Sequence, residues 1–344
     1  MRRGMPPLRL SIARLDLPLV HRFTIARSSE DAAHTAVLRL AWNDLEGLGE
    51  AAPSERYGES VDSVLSYFAQ HPPDASDPYL LDAILTPQIP AAARCALDLA
   101  LHDLIGKDCG LPLYRLFGLD PRATPVTSFT VGIADPQATM QKLAEIGEHP
   151  IVKIKLGRGD VRGDVETVEL VRSVYTGTIR VDANEGWTPE EAVMALNELR
   201  RFDVEFCEQP IPAGHPEQLR FVRERSPIPI VTDEDSRTAA DLPGLIGCTD
   251  GVNVKLVKTG GLRGAIAMIH TARALGFKVM LGCMVESQIS AAAAGHISPL
   301  ADWADVDGPF LTKGDPFSGI RYENGRIVLP EGPGLGVRER AAVA

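Results

Sequence analysis

Ile151-Val152-Lys153-Ile154-Lys155-Leu156 is the stretch from which the rest of the chain can be read. It is an apolar run of strand length, interrupted at alternate positions by two lysines. Side chains alternate across a strand, so Lys153 and Lys155 share one face while Ile154 takes the other. Runs of the same kind recur at 126–131, 179–181, 204–206, 228–231, 251–256, 279–281 and 303–306. Amphipathic helices are expected between them, at 164–175, 189–201, 215–225, 237–246, 261–275 and 287–295. Such regular β-α alternation implies a parallel sheet, and the number of units favours a closed, TIM-like α/β barrel over an open sheet.

The first third has another rhythm. Residues 8–20 and 35–48 read as strands, with turn chemistry at Asn43-Asp44-Leu45-Glu46-Gly47. Helical patterns follow at 58–70 and 90–107, the second with Pro90 in its first turn and Ala93, Ala96, Leu97, Ala100 and Leu104 on one stripe. Strands followed by helices predict an α+β domain over residues 1–118, ahead of a barrel over 119–316. The segment 317–344 carries a hairpin, with Asn324-Gly325 turning between Arg321-Tyr322-Glu323 and Arg326-Ile327-Val328. This segment is expected to return to the first domain.

Charge and cysteine content narrow the function. With 35 Lys and Arg against 46 Asp and Glu, the net charge of −11 argues against nucleic acid and against anionic membrane surfaces. The five cysteines form no C-x-x-C pair, and an odd, scattered set fits reduced thiols in the cytoplasm. The basic start Met1-Arg2-Arg3 leads into no apolar signal region, and no run is long enough to span a bilayer. We expect a cytoplasmic protein, a homo-oligomer, acting on a small molecule.

In a barrel of this type the active site forms at the C-terminal ends of the strands. Those ends carry Lys153 and Lys155, then Asp182, Glu208, Asp233, Lys255, Glu286, and Asp305 with Asp307. Asp182, Glu208 and Asp233 close three successive strands, and such a cluster either shifts its pKa values or holds a cation. All-oxygen ligands select a hard ion such as Mg²⁺. A lysine beside a divalent cation and a second lysine has its neutral form favoured and can act as a base. Each feature has a plain alternative when taken singly. Lys153 and Lys155 could be solvated, Asp182 could form a turn, and Asp233-Glu234-Asp235 could cap a helix near Arg237. Lys255 and Lys258 before Gly260-Gly261 could bind phosphate. These alternatives weaken together, because all would have to fall in order on one rim.

The set Lys153-Ile154-Lys155-Leu156-Gly157, Val181-Asp182-Ala183-Asn184, Glu208-Gln209-Pro210, Thr232-Asp233-Glu234, Asn253-Val254-Lys255, Gly282-Cys283-Met284-Val285-Glu286-Ser287 and Asp305-Val306-Asp307-Gly308 resembles the enolase superfamily. The likeness is to its muconate-lactonizing subgroup and, within that, to the dipeptide epimerases. It extends into the first domain at Leu101-His102-Asp103-Leu104 and Gly110-Leu111-Pro112-Leu113-Tyr114. The resemblance implies a (β/α)₇β barrel under an α+β capping domain. It implies Mg²⁺ on Asp182, Glu208 and Asp233, with Lys155 and Lys255 as acid/base groups on opposite sides of the substrate carbon. Lys153 would support Lys155 and the substrate carboxylate, Thr130 and Cys283 would line the site, and Asp305 and Asp307 would hold a dipeptide ammonium. The implied reaction is Mg-dependent epimerisation of dipeptides, L-Ala-L-Xaa to L-Ala-D-Xaa, by 1,1-proton transfer through an enediolate. N-acylamino acid racemases, o-succinylbenzoate synthases and cycloisomerases share the metal and lysines but have no evident use for the aspartate pair. Sugar-acid dehydratases rely on a late-strand His–Asp dyad, which has no counterpart here. A catalytically silent metal-binding protein is disfavoured by intact Lys155 and Lys255. For specificity, the loops 21–29 and 55–60 offer Arg27 or Arg56 for an acidic second residue and Tyr57 for an apolar one.

Overall fold

Three antiparallel strands come first in the computed structural model, which describes residues 6–341; the basic start at 1–5 and residues 342–344 lie outside the described residues. These are β1 (Arg9–Thr24), β2 (Ser29–Trp42) and β3 (Leu45–Ala51). The run at 35–48, expected as one strand, is a hairpin, because Asn43 takes the left-handed conformation (φ 51°) inside it and reverses the chain. Helices α1 (Val61–Gln70), α2 (Leu81–Ile84), α3 (Ala91–Cys109) and α4 (Leu113–Leu116) complete this half. The central helix α3 lies against β3 so closely that a side chain could not intervene. A Cβ on Gly47 or Gly49 would stand 2.1 Å from the Ala100 carbonyl or 1.9 Å from that of Ala96.

The apolar runs then form one eight-stranded parallel sheet. Its strands are β4 (Phe129–Val131), β5 (Ile151–Lys155), β6 (Thr178–Asp182), β7 (Val204–Glu208), β8 (Ile230–Thr232), β9 (Gly251–Lys255), β10 (Lys278–Gly282) and β11 (Trp303–Asp305), each beside its sequence neighbour. A parallel bridge between Thr127 and Ala304, with Ser128 N–H donating to Ala304 O at 3.1 Å, joins the first strand to the last. The helices between are α5 (Pro136–Ile146), α6 (Val161–Val174), α7 (Pro189–Leu199), α8 (Pro216–Arg225), α9 (Leu256–Thr259), α10 (Leu262–Ala274) and α11 (Gln288–Ile297), and α12 (Gly308–Leu311) follows the last strand. The helix expected at 237–246 shrinks to a 3₁₀ turn at Leu242–Leu245. There the Asp241 carboxylate accepts the N–H groups of Arg237 and Thr238 at 3.1 and 2.7 Å, which competes with a helical first turn. α5, absent from the expectations, starts at Asp135-Pro136, whose aspartate caps Ala138 N–H at 2.8 Å. No helix among the described residues is long and apolar enough to cross a membrane.

Alternation along the strands divides the barrel interior into two levels. The lower level is filled by Phe206, Val231 and Met280, with Trp303 against them and the Arg180 guanidinium 5.2 Å from the Phe206 ring centre. Two positions further along the same strands, on the same face, stand Asp182, Glu208, Asp233, Gly282 and Asp305. A packed floor thus lies directly beneath a polar ceiling.

The two halves are joined at specific points. Leu262 N–H donates to Asp98 of α3 at 2.6 Å, and Arg94 donates to Thr259 O at 3.4 Å. Gly260-Gly261 is therefore a close-packing point for α3, not a phosphate cradle. Glu50, at the end of β3, caps α11 from the other half by accepting the N–H groups of Ser287 at 3.0 Å and Ser290 at 3.2 Å. The last segment carries a hairpin of β13 (Arg321–Glu323) and β14 (Arg326–Val328), flanked by the short pair β12 (Phe317–Ser318) and β15 (Arg338–Glu339). The hairpin holds the barrel base through Thr127 N–H to Gly325 O at 2.9 Å. Leu335 then reaches α3, where its N–H donates to Asp103 at 2.7 Å.

Gly261 has φ +111°, and a Cβ there would stand 2.4 Å from Asp98. Gly261→Ala is expected to destabilise the protein by about 2–4 kcal/mol, combining backbone strain with a clash against α3. Denaturant unfolding of the two proteins measures it.

Candidate active site

Three strands lie between β5 and β9 in an eight-stranded barrel, half the circuit, so Lys155 and Lys255 rise from opposite walls. The arc between them, β6 to β8, presents Asp182, Glu208 and Asp233, each 1% exposed or less. Lys155 Nζ donates to Asp182 at 2.6 Å, and Lys255 Nζ donates to Asp233 at 2.8 Å. Lys153, at the level below, lies 2.6 Å from Glu208, 3.3 Å from Asp182 and 2.6 Å from Asp305. Burial alone would lower its pKa, but Asp305, Glu208 and Asp182 hold it well above the ordinary lysine value. The same contest raises Lys255, where Asp233 and Glu208 outweigh burial. Carboxylates supply the local field at both amines.

Two further residues fix this arc; the sequence offered Lys258 only as a phosphate ligand and gave Asn253 no role. Lys258 is fully buried and donates to Asp233 Oδ1 at 2.5 Å, to Asp233 O at 2.7 Å, to Asn253 O at 2.8 Å and to Ser236 O at 2.9 Å. All its donors are engaged, so it serves as a post that orients Asp233. Asn253 donates to Glu208 at 2.7 Å. Gly282 leaves room for that amide, since a Cβ there would stand 2.4 Å from Asn253 Oδ1. Alternation along β9 puts Asn253 on the face of Lys255, which was the available signal; its neutral amide carried no charge to draw notice.

The other arc, β10, β11 and β4, carries Cys283, Asp305, Asp307 and Thr130. Asp305 takes Lys153 and the Ser128 hydroxyl, and Lys153 and Lys155 hold its carboxyl at about 2 against the effect of burial. Thr130 N–H donates to Asp307 at 2.7 Å, its hydroxyl lies 3.4 Å from Asp305, and Cys283 Sγ lies 3.7 Å from Asp307. Thr130 and Cys283 therefore hold the aspartates in place. Burial, and then the charge of Asp305, push Asp307 up to about 6. Glu286, also at a strand end, is buried against Glu50 behind this arc.

A cavity of about 620 Å³ opens above the lysines and is roofed by the first domain, with Arg27, Arg56 and Tyr57 in its lining. Both arginines already face carboxylates. Arg56 grips Glu185 through Nε and Nη2, each at 2.7 Å, in a bidentate pair across the two halves. Arg27 lies 2.7 Å from Glu234 and, more loosely, 3.5 Å from Glu185. Tyr57 is stacked under the Arg237 guanidinium at 4.6 Å. Glu185 and Glu234 were not singled out, since each follows a more prominent acidic position by a few residues. Burial, then Asp233 and Asp182, push Glu234 up to about 8.

The donors fit a hard divalent cation by chemistry. Asp182, Glu208 and Asp233 are buried oxygens on one arc, and Glu208 Oε2 lacks an aligned hydrogen-bond donor although Lys153 is near. Among the described residues no three His, Cys, Asp or Glu side chains converge tightly enough to grip an ion as they stand. The ammonium groups of Lys153, Lys155 and Lys255 take the carboxylate oxygens.

Barrel, cap and opposed lysines define a class. Residues 11–118 match the mandelate racemase / muconate lactonizing enzyme N-terminal domain and residues 136–343 the enolase C-terminal domain-like family, so the chain belongs to this branch of the enolase superfamily. Within it, the chain is an epimerase-type isomerase. It is 37% identical to the L-Ala-D/L-Glu epimerase of Bacteroides thetaiotaomicron, over 96% of this chain and 88% of that protein. Its structure is similar to a substrate-liganded L-Ala-D/L-Glu epimerase from Bacillus subtilis (TM-score 0.91, 29% identity, 98% of this chain and 100% of that one). It is also similar to a dipeptide epimerase from Cytophaga hutchinsonii complexed with Mg and the dipeptide D-Ala-L-Val (TM-score 0.89, 28% identity, 99% and 97%).

The raised Asp307 has a consequence for stability. A carboxyl lifted from 3.8 to about 6 favours folding fully below 3.8, and that contribution is lost as pH rises through 6. Asp307→Asn is therefore expected to be more stable than the parent protein at pH 8. The difference should shrink as pH falls through 6 and vanish below about 4. Thermal unfolding of both proteins across this range measures it.

Proposed function

We propose that the chain epimerises dipeptides, converting L-Ala-L-Xaa to L-Ala-D-Xaa by moving the proton on the carbon next to the terminal carboxylate. The observation that carries this reading is the pair of buried lysines facing one another across the barrel mouth, with an acidic arc on one side and a second aspartate pair on the other. One lysine takes the proton from one face of the carbon and the other returns a proton to the opposite face, which inverts the centre. Lys153, between Glu208 and Asp305, adds positive charge where the substrate carboxylate would lie. Asp305 and Asp307 face the far end, where a free ammonium needs counter-charge. An N-acyl substrate would leave that pair without a partner, as would a cycloisomerase substrate. The domain at 1–118 closes the mouth over the barrel at 119–316, and 317–344 ties the two.

Asp182, Glu208 and Asp233 would hold Mg²⁺. The ion would neutralise the substrate carboxylate as a second negative charge builds beside it in the enediolate. The protein's own contribution is to keep those oxygens apolar-backed and fixed, through Asn253 on Glu208 and Lys258 on Asp233.

The test is deuterium uptake at the C-terminal residue when the protein is incubated with Mg²⁺ and L,L-dipeptides in D₂O. Uptake is expected, with epimerisation falling about 10²–10⁴-fold in Lys155→Ala and in Lys255→Ala. No uptake from any dipeptide, with Mg²⁺ bound, would sink the reading and favour an N-acylamino acid or a cycloisomerase substrate. Specificity for the second residue rests on Arg27, whose guanidinium is held less tightly than that of Arg56. Arg27→Ala is expected to lower kcat/KM for L-Ala-L-Glu about 10–100-fold while sparing L-Ala-L-Leu. Arg56→Ala, which opens the bidentate latch on Glu185, should lower both to a similar degree.

A further inference from the structure

A second cavity, of about 340 Å³, lies between the end of β1, strand β4, helix α5 and helix α12. Phe129 and Thr130 point to opposite faces of β4, so the strand stands between this space and the barrel interior. One wall is aromatic. Phe129 and Phe310 have ring centres 5.6 Å apart, and that of His149 stands 6.1 and 6.0 Å from them. Ile146 of α5 closes one side, and the edge at Val20, His21 and Glu145 meets solvent, each of the three being more than a third exposed. Lys142 of α5 also lines the space and is half-buried, yet among the described residues no carboxylate reaches ion-pair distance of its amine. The two acids whose charge acts on it are already engaged. Glu145 accepts His21 Nε2 at 2.5 Å and the Gln141 amide at 2.9 Å, while Asp135 caps α5. Burial therefore prevails and pushes the Lys142 amine below the ordinary lysine value.

We propose that this cavity is a binding site distinct from the catalytic one, and that it takes a small monocarboxylic acid with an aryl body. The ring lies against Phe129 and Phe310, and the carboxylate meets Lys142. An aryl ring suits this wall because offset and edge-to-face contacts add to what apolar burial supplies. The volume stands near the lower end of small-ligand sites, roughly 300–1,000 Å³, which fits a single-ring acid. Charge selects the rest of the ligand. A carboxylate gives the Lys142 amine the partner it lacks, and the pair forms where half of its water is already gone. Arg22, the other cation on the rim, is 65% exposed and its Nε already donates to Ser29 at 2.9 Å. An ammonium on the ligand would find no free acid, since Glu145 is taken by His21. An amino acid or a dipeptide is therefore a poor occupant, and the site is set apart from the reaction proposed above, whose lysines lie on the other side of β4.

Calorimetric titration of the whole chain with phenylacetate tests this, with phenethyl alcohol lacking the charge and acetate lacking the ring. Phenylacetate is expected to bind at one site with Kd below about 1 mM, and the other two at least about 10-fold more weakly. Lys142→Met, which keeps the stem and removes the charge, should weaken phenylacetate about 10-fold, and Lys142→Arg should restore it. Ile146→Trp, which fills the cavity, should abolish binding; where that variant fails to fold, the Lys142 pair decides. Lys155→Ala and Lys255→Ala should bind phenylacetate as the wild type does. Binding lost in those two and kept in Lys142→Met would place the acid among the lysines of the barrel mouth and overturn the second site. Equal affinity for the acid and the alcohol would overturn it, as would no binding to the wild type up to about 10 mM.

Discussion

Burying four ammonium groups in the mouth of one barrel requires carboxylates to face them, and much of the upper half of this protein follows from that requirement. Lys153, Lys155, Lys255 and Lys258 are each 9% exposed or less, and each lies against at least one aspartate or glutamate. A buried charge without a partner costs several kcal/mol, so removing one member strands another. The network is correspondingly over-determined. Asp233 is held by two lysines, Lys153 by three carboxylates, and Glu208 by a lysine and an amide. A site built this way is rigid before any substrate arrives, which suits chemistry that needs groups fixed on two faces of one carbon.

The floor beneath serves the same end. Phe206, Val231, Met280 and Trp303 occupy positions where a channel would otherwise admit water from below. Arg180 completes that floor, donating to Ala304 O at 2.8 Å and pairing with Glu205 at 2.7 Å. The polar layer therefore opens toward the capping half, where Arg56 and Glu185 bind the two halves together over the cavity.

Most of this architecture was legible in the chain because period-two alternation fixes both the strand and the face of each side chain. Once 151–156 reads as a strand, the positions of Lys153, Lys155, Asp182, Glu208, Lys255 and Asp305 follow from sequence spacing. What escaped reading has physical reasons. The 237–246 stretch has helical composition, but the Asp241 side chain captures the N–H groups a first turn needs. Asn253 and Lys258 act through geometry specific to the folded barrel, and Glu185 sits on a loop where no periodicity applies. The pairing of Arg27 and Arg56 with in-chain carboxylates depends on how two halves dock, which a local pattern does not encode.

Asp103, mentioned above only as an anchor, sets the order in which the molecule can be completed. Its carboxylate accepts Leu48 N–H at 2.8 Å from within its own half and Leu335 N–H at 2.7 Å from 232 positions further along the chain. Gly334 comes so near that a Cβ would stand 2.2 Å from Asp103 Oδ1. During synthesis the first half emerges long before Leu335 does. Its central helix carries a buried carboxylate with one of its acceptor oxygens waiting for a segment not yet made. The cap is translated first, yet it reaches its final form only once the segment carrying Gly334 and Leu335 has emerged to meet it.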